Sequence, residues 1–156
     1  IDIPDYSLMR NDRCSKRGGG TAAYVKNDIR SVHIVGRTTS NLNYNTTVVD
    51  LISCRVFLIC IYIPPDTRAD DLKQIHKDLI VTVDLAMSHK PDYGCCIAGD
   101  FNQFKVHKLC TDLHLVDLVI KATRGNNTLD HILVSKDLTE FYDESKTEYD
   151  CPVWPL

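Results

Sequence analysis

The sequence predicts a layered domain of mixed α and β structure with largely antiparallel sheets, an α/β (α+β) class, and three observations support this. Residues 54–63 (CRVFLICIYI) are apolar on both alternating faces, one carrying Cys54, Val56, Leu58, Cys60 and Tyr62, the other Phe57, Ile59, Ile61 and Ile63. A strand covered on both sides belongs in the middle of a layered structure. Residues 70–90 space Leu72, Ile75, Leu79, Val83, Ala86 and Met87 at helical intervals with charges between, so one amphipathic helix lies on a sheet face. The elements come as strands, helix, strand, short helix, strand, without the regular alternation of a doubly wound sheet.

The chain opens irregularly and reaches a triple glycine, Gly18-Gly19-Gly20. TAAYVKNDI (21–29) and SVHIVG (31–36) then read as two short strands, separated by polar turn residues and fit to pair as a hairpin. Residues 37–45 are polar and loop-like, and TTVVDLIS (46–53) is a further strand leading into 54–63. Pro64-Pro65 ends that strand because proline cannot donate to the ladder. After the helix, Pro91-Asp92-Tyr93-Gly94 breaks the pattern, and CCIAGD (95–100) is a short buried strand terminating at Gly99. LCTDLHLVDLVI (109–120) fits a short helix or turn, and TLDHILVS (128–135) is a final strand. There are no internal repeats.

At 156 residues, 44% hydrophobic and 25% charged, the chain has room for one core, and residues 1–156 are expected to form a single domain or part of one. No run of 18 apolar residues occurs and IDIPDYSLMR lacks signal-peptide features, so a soluble, intracellular protein without membrane contact is expected. The chain begins with Ile and ends in CPVWPL, so either end is expected to be a cut edge of something longer. Seven cysteines, an odd number set mostly among apolar residues, fit buried reduced thiols better than a disulfide framework. The triplets at Asn45 and Asn126 that match a glycosylation acceptor argue weakly the other way. A zinc site built from Cys95, Cys96, His107 and Cys110 is disfavoured, because adjacent strand residues point apart and no CxxC pair exists.

The formal net charge is -3 with a pI near 6.0, so any polyanion binding must be local. Basic residues gather at Lys16-Arg17, at Lys105-Val106-His107-Lys108, and at Lys121 with Arg124; a solvated surface is the simplest reading of each. IAGDFNQF (97–104) is the stretch with chemical content. A carboxylate just past a buried strand sits at the mouth of the sheet, where Asp100 could hold a cation or take a proton from water. The amide of Asn102 both donates and accepts, so the pair could orient a water and hold a phosphate oxygen. Asp and Asn also favour turns for their own backbone bonding, and that plain reading stands beside the chemical one.

RGGGTAAYVKN (17–27), IYIPP (61–65), GDFN (99–102) and LDHILVS (129–135), in that order, resemble the endonuclease/exonuclease/phosphatase superfamily. YSLMRNDRCSKRGGGTAAYVK and ATRGNNTLDHILVS resemble, more narrowly, the endonuclease domain that precedes reverse transcriptase in non-LTR (LINE-type) retrotransposons. The resemblance implies a layered β-sandwich with helices on its outer faces, incomplete here, and a Mg²⁺ (or Mn²⁺) dependent endonuclease. That enzyme would nick target DNA in the nucleus and be fused to a reverse transcriptase. It implies that Asp100 activates or positions the attacking water and ligates the metal, that Asn102 holds the scissile phosphate, and that Tyr62 places its hydroxyl near that phosphate. It implies that Asp130 orients a catalytic histidine; strand alternation sends neighbouring His131 to the opposite face, so His131 is not that histidine. Thr123 and Arg124 are candidates for touching the DNA backbone.

Two parts of that pattern lack intact counterparts. No glutamate precedes the Arg-Gly-Gly-Gly region, where a metal ligand belongs, and EYDCPV resembles a degenerate Ser-Asp-His motif with Asp150 and no imidazole after it. Loss of metal ligands reduces activity severely, so a fragment with impaired or no cleavage is expected. The alternatives are a non-catalytic DNA-binding remnant and a phosphatase of the same fold.

Overall fold

The computed structural model describes residues 1–13, 18–35 and 44–141. In chain order these form β1 (Tyr6–Asp12), β2 (Gly20–Lys26), β3 (Ser31–His33), β4 (Asn45–Leu51) and β5 (Val56–Tyr62), then α1 (Ala69–His89) and β6 (Gly94–Asp100). They continue with α2 (Val106–Leu113), β7 (Leu115–Asp117), β8 (Asp130–Ser135) and a 3-10 turn, Lys136–Phe141.

Six strands make one sheet in the order β3-β4-β5-β6-β8-β7, and β1 pairs with β2 in a separate two-stranded sheet. Among the described strands only β5 and β6 pair in parallel, because α1 carries the chain back to the starting edge between them. The helix begins just after the proline pair, places Asp70 and Asp71 in its first turn where the helix dipole favours acids, and buries Ile75, Leu79, Val83 and Ala86.

One face of the large sheet packs Ile59, Ile61, Ile97 and Leu133 against Ile75, Leu79 and Val83 of α1 and Leu109 of α2. Its other face packs Val49, Leu58 and Cys60 against Met9, Ala23 and Val25 of the small sheet. Strand β5 is therefore covered on both sides, as its two apolar faces predict. Hydrogen bonds tie the layers at polar positions: the Thr21 and Thr47 hydroxyls lie 2.7 Å apart, and Asn11 Nδ2 donates to the Thr46 carbonyl at 3.0 Å. The small sheet packs on β4 and β5. Farther across, on the same side, Ile132 of β8 and Val116 of β7 are 42% and 39% exposed.

The expected hairpin between 21–29 and 31–36 does not form. Strand β2 pairs back onto β1, and β3 pairs onto β4 in the other sheet. The cause is Tyr6–Asp12, which the sequence reading left irregular because most of its residues are exposed and lack a clean apolar alternation. Residues 27–30 thus cross between layers, with Ile29 joining the small-sheet core and the Arg30 N–H donating to Ser53 Oγ at 2.9 Å. The central strand also starts later than predicted: Cys54 is exposed and Arg55 adopts φ 54°, so 52–55 is a turn. Residues 109–120 are not one element either. His114 takes φ 54° and stops α2, after which Leu115–Asp117 forms an edge strand.

Candidate functional site

Four side chains line one row across the sheet at the end where β5 and β6 finish. Asn45 is the register partner of Tyr62, Tyr62 of Asp100, and Asp100 of Asp130. Register partners point to the same face with their Cβ atoms about 5 Å apart, so the row brings Tyr62, Asp100 and Asp130 together. Asn45, which is fully buried, was not legible as a member, since only strand register reveals it.

Gly99 lets β6 reach this position. Its φ is +149°, and a Cβ there would lie 1.9 Å from the Ile61 carbonyl oxygen. Beyond it the chain turns sharply: the Asn102 N–H donates to Asp100 Oδ1 at 3.0 Å, and Asn102 sits at φ 47°. Asn102 Nδ2 donates to the Ile63 carbonyl at 2.8 Å, which joins the turn to the end of β5. Phe101 between them is fully buried, with its N–H bonded to the Leu129 carbonyl at 2.7 Å. The turn reading and the chemical reading of Asp-Phe-Asn are therefore compatible, since the backbone bonding holds both polar side chains at the rim.

Burial pushes the Asp100 carboxyl above its ordinary range; the Asn102 N–H works against that, the Asp130 charge adds to it, and the Arg124 guanidinium opposes it. A carboxylate whose folded pKa is raised costs stability above that pKa and nothing below its unfolded value. Without divalent cation at neutral pH, Asp100→Asn is therefore expected to melt no lower than the parent chain. The difference should shrink as pH falls through the window between the ordinary carboxylate pKa and the raised one. Thermal melts across that window check it, and a neutral-pH melt well below the parent would contradict it.

Asp130 is exposed, and Thr123 fixes its backbone: Thr123 Oγ1 accepts the N–H groups of Leu129 and Asp130 at 3.0 and 3.1 Å. Thr123→Val is expected to lower stability by about 1 kcal/mol, read by urea denaturation, because both donors lose their partner. Arg124 opens a tight turn in which Arg124 and Asn127 exchange backbone bonds of 2.9 and 3.0 Å. A groove of about 440 Å³ beside the row is lined by Lys121, Ala122, Thr123 and Asp130.

On the other flank, a Cβ on Gly19 (φ +82°) would lie 2.7 Å from Tyr62 Cε1 and 2.8 Å from Arg13 Cδ, so the glycine allows the backbone to close against the tyrosine. The Arg13 guanidinium lies 5.8 Å from the centre of the Tyr62 ring. Arg13 is a second member that sequence reasoning missed. Its one signal in the sequence was the glycine run that begins five residues later. His131 faces the opposite side, buried against the Phe101 ring with Nδ1 2.7 Å from Asp117 Oδ2. Lys16-Arg17 and the EYDCPV stretch with Asp150 lie outside the described residues.

Among the described residues, no three His, Cys, Asp or Glu side chains converge on one point. The row offers two carboxylates and an amide oxygen. Mg²⁺ is commonly held by one or two carboxylates with waters and substrate phosphate, so this set of hard oxygen donors fits such an ion. The thiols do not resemble a metal centre. Burial pushes Cys95 up to about 12 and Cys96 up to about 11, which keeps both protonated.

Two domains stand among the solved structures to which the chain is similar. The endonuclease domain of TRAS1, a telomere-specific non-LTR retrotransposon, superposes with a TM-score of 0.64 and 16% identity, over 90% of this chain and 70% of that one. The human Nocturnin catalytic domain superposes with a TM-score of 0.61 and 15% identity, over 85% of this chain and 61% of that one. No family model matches the chain, and no curated protein matches it. The chain shares the layered α+β fold of these two domains. No helix among the described residues is long and apolar enough to cross a membrane.

Proposed function

We propose that this chain is a phosphodiester-cleaving module of the retrotransposon endonuclease type, acting on DNA with Mg²⁺ or Mn²⁺. The observation that carries the reading is the level row Tyr62, Asp100, Asp130, flanked by Asn102 and within the field of Arg124. One rim thus gathers a phenol, two carboxylates, an amide and a guanidinium, the groups a charged phosphate and an attacking water require.

In this reading Asp100 and Asp130 would hold the cation, which when bound supplies charge neutralisation at the phosphate and the leaving oxygen. Asp100 also orients the water in line with phosphorus. Asn102, pinned to the Ile63 carbonyl, offers its amide to a phosphate oxygen, and the Tyr62 hydroxyl donates to another. Arg124 contacts a neighbouring phosphate. Thr123 has one hydroxyl hydrogen left for the backbone after accepting two N–H groups. The nick would prime a fused reverse transcriptase at chromosomal DNA in the nucleus, as the sequence resemblance implies.

One observation favours a second reading, a remnant that binds DNA without cutting it. Among the described residues no histidine shares the row, since His131 is turned to Asp117. Incubation of the chain with supercoiled plasmid and Mg²⁺ separates the readings. Asp100-dependent nicking supports the proposal. Salt-sensitive binding without nicking supports the remnant, and hydrolysis of inositol phosphates but not plasmid supports a phosphatase of the same fold.

A further inference from the structure

The Lys105 to Lys108 cluster is not absorbed by the catalytic row. It borders a groove of about 760 Å³ between α1 and α2, whose floor includes Leu72, Ile80 and Phe104. Lys73, Lys77, Lys105 and Lys108 also line it. Asp112 in the same groove is bonded to His76 at 2.7 Å, and Lys73 is paired with Asp70 at 2.9 Å. Lys77, Lys105 and Lys108 are exposed and have no ion pair among the described residues. A chain of formal net charge -3 therefore carries three uncompensated cations along one apolar trough.

The trough runs toward Asn102 at the rim of the candidate site. Gln103, Phe104 and Lys105 line both it and a groove of about 650 Å³ that contains Asn102, while Tyr62, Asp100 and Asp130 line neither groove. Gln103 is itself held by a bond from Nε2 to the Thr67 carbonyl at 3.0 Å, so the saddle between the two grooves is fixed. A strand passing Asn102 would run onto the lysines.

We propose that this trough binds an unpaired nucleic-acid segment flanking the phosphate at Asp100, with Lys77, Lys105 and Lys108 taking phosphates and the apolar floor taking a base. This rests on the phosphodiester reading given above. Duplex DNA keeps its bases stacked inside and would leave the apolar floor unused, whereas an unpaired strand presents both phosphates and bare ring faces. An acidic peptide would match the charge and the floor, but nothing in that match accounts for the continuity with Asn102.

The test is fluorescence anisotropy with a labelled oligothymidine of about twenty nucleotides and a duplex of equal length. The full chain is compared with a K77A/K105A/K108A variant, both carrying Asp100→Asn so that cleavage does not interfere. The variant is expected to bind the single strand about tenfold or more weakly, with a log–log salt slope smaller by about two, while the duplex changes little. The substituted lysines are exposed, so overlapping thermal melts are expected. Unchanged single-strand binding, an equal loss for both probes, or capture of an acidic peptide in place of the oligonucleotide would each overturn the proposal. Absence of Asp100-dependent nicking in the parental chain would defeat the phosphodiester reading instead, and the binding measurement does not depend on it.

Discussion

Asp100→Ala is expected to lower Mg²⁺-dependent nicking of supercoiled plasmid by about a hundredfold or more, the usual range for removing a positioned acid–base group. The starting rate is itself expected to be low, since the described row has no imidazole to assist the leaving oxygen. The loss should be chemical rather than structural. Asp100 lies at the tip of β6, partly buried, with a raised pKa, so its charge costs the fold stability instead of adding to it. Asp100→Asn keeps an oxygen for the Asn102 N–H and is expected to lose the same activity while remaining folded. Retention of nicking by both variants would remove Asp100 from the chemistry.

Gly99→Ala is expected to be the most destructive single substitution for the fold. The added Cβ would lie 1.9 Å from the Ile61 carbonyl oxygen and 3.0 Å from the Ile61 nitrogen, both backbone atoms of the central strand. No rotamer change relieves that overlap, and at φ +149° an L side chain is strained even in open space. β5 and β6 would have to separate at the register pair Ile61 and Gly99, beside fully buried Ile63 and Phe101. A cost above about 4 kcal/mol is expected, a large part of the total stability of an ordinary domain. Gly125→Ala is the control. That glycine also has positive φ (+59°) but nothing within 4 Å of an added Cβ, so it should cost about 1 kcal/mol. Urea denaturation and soluble yield of the two variants measure the contrast; a Gly99→Ala chain as stable as the control would contradict the packing described here.

What was legible in the sequence is what local pattern controls. Two apolar faces marked β5 as interior, helical spacing marked α1, and a glycine before two polar residues marked the turn at Asp100 and Asn102. Partner choice between strands depends instead on contacts far apart in the chain. The pairing of β2 with Tyr6–Asp12 was invisible because that strand is largely exposed and gives no alternation to read. Arg13 and Asn45 were missed for the same reason. Arg13 meets Tyr62 across the layers, and Asn45 meets it through register. Asp100 was named from its place past a buried strand and Tyr62 and Asp130 from resemblance, and their alignment in one row could be seen only once the sheet was assembled.

The strand order β6-β8-β7 imposes a sequence of events on biosynthesis. Strand β7 is translated before β8 yet lies outside it, so it has no edge to join until β8 has inserted beside β6. At roughly 5–20 residues per second, the ribosome delivers Asp117 ahead of its partner strand, and the Asp117 to His131 bond closes only after both have emerged. Asp130 arrives with that same late strand. A nascent chain therefore carries no assembled row until β8 has left the exit tunnel.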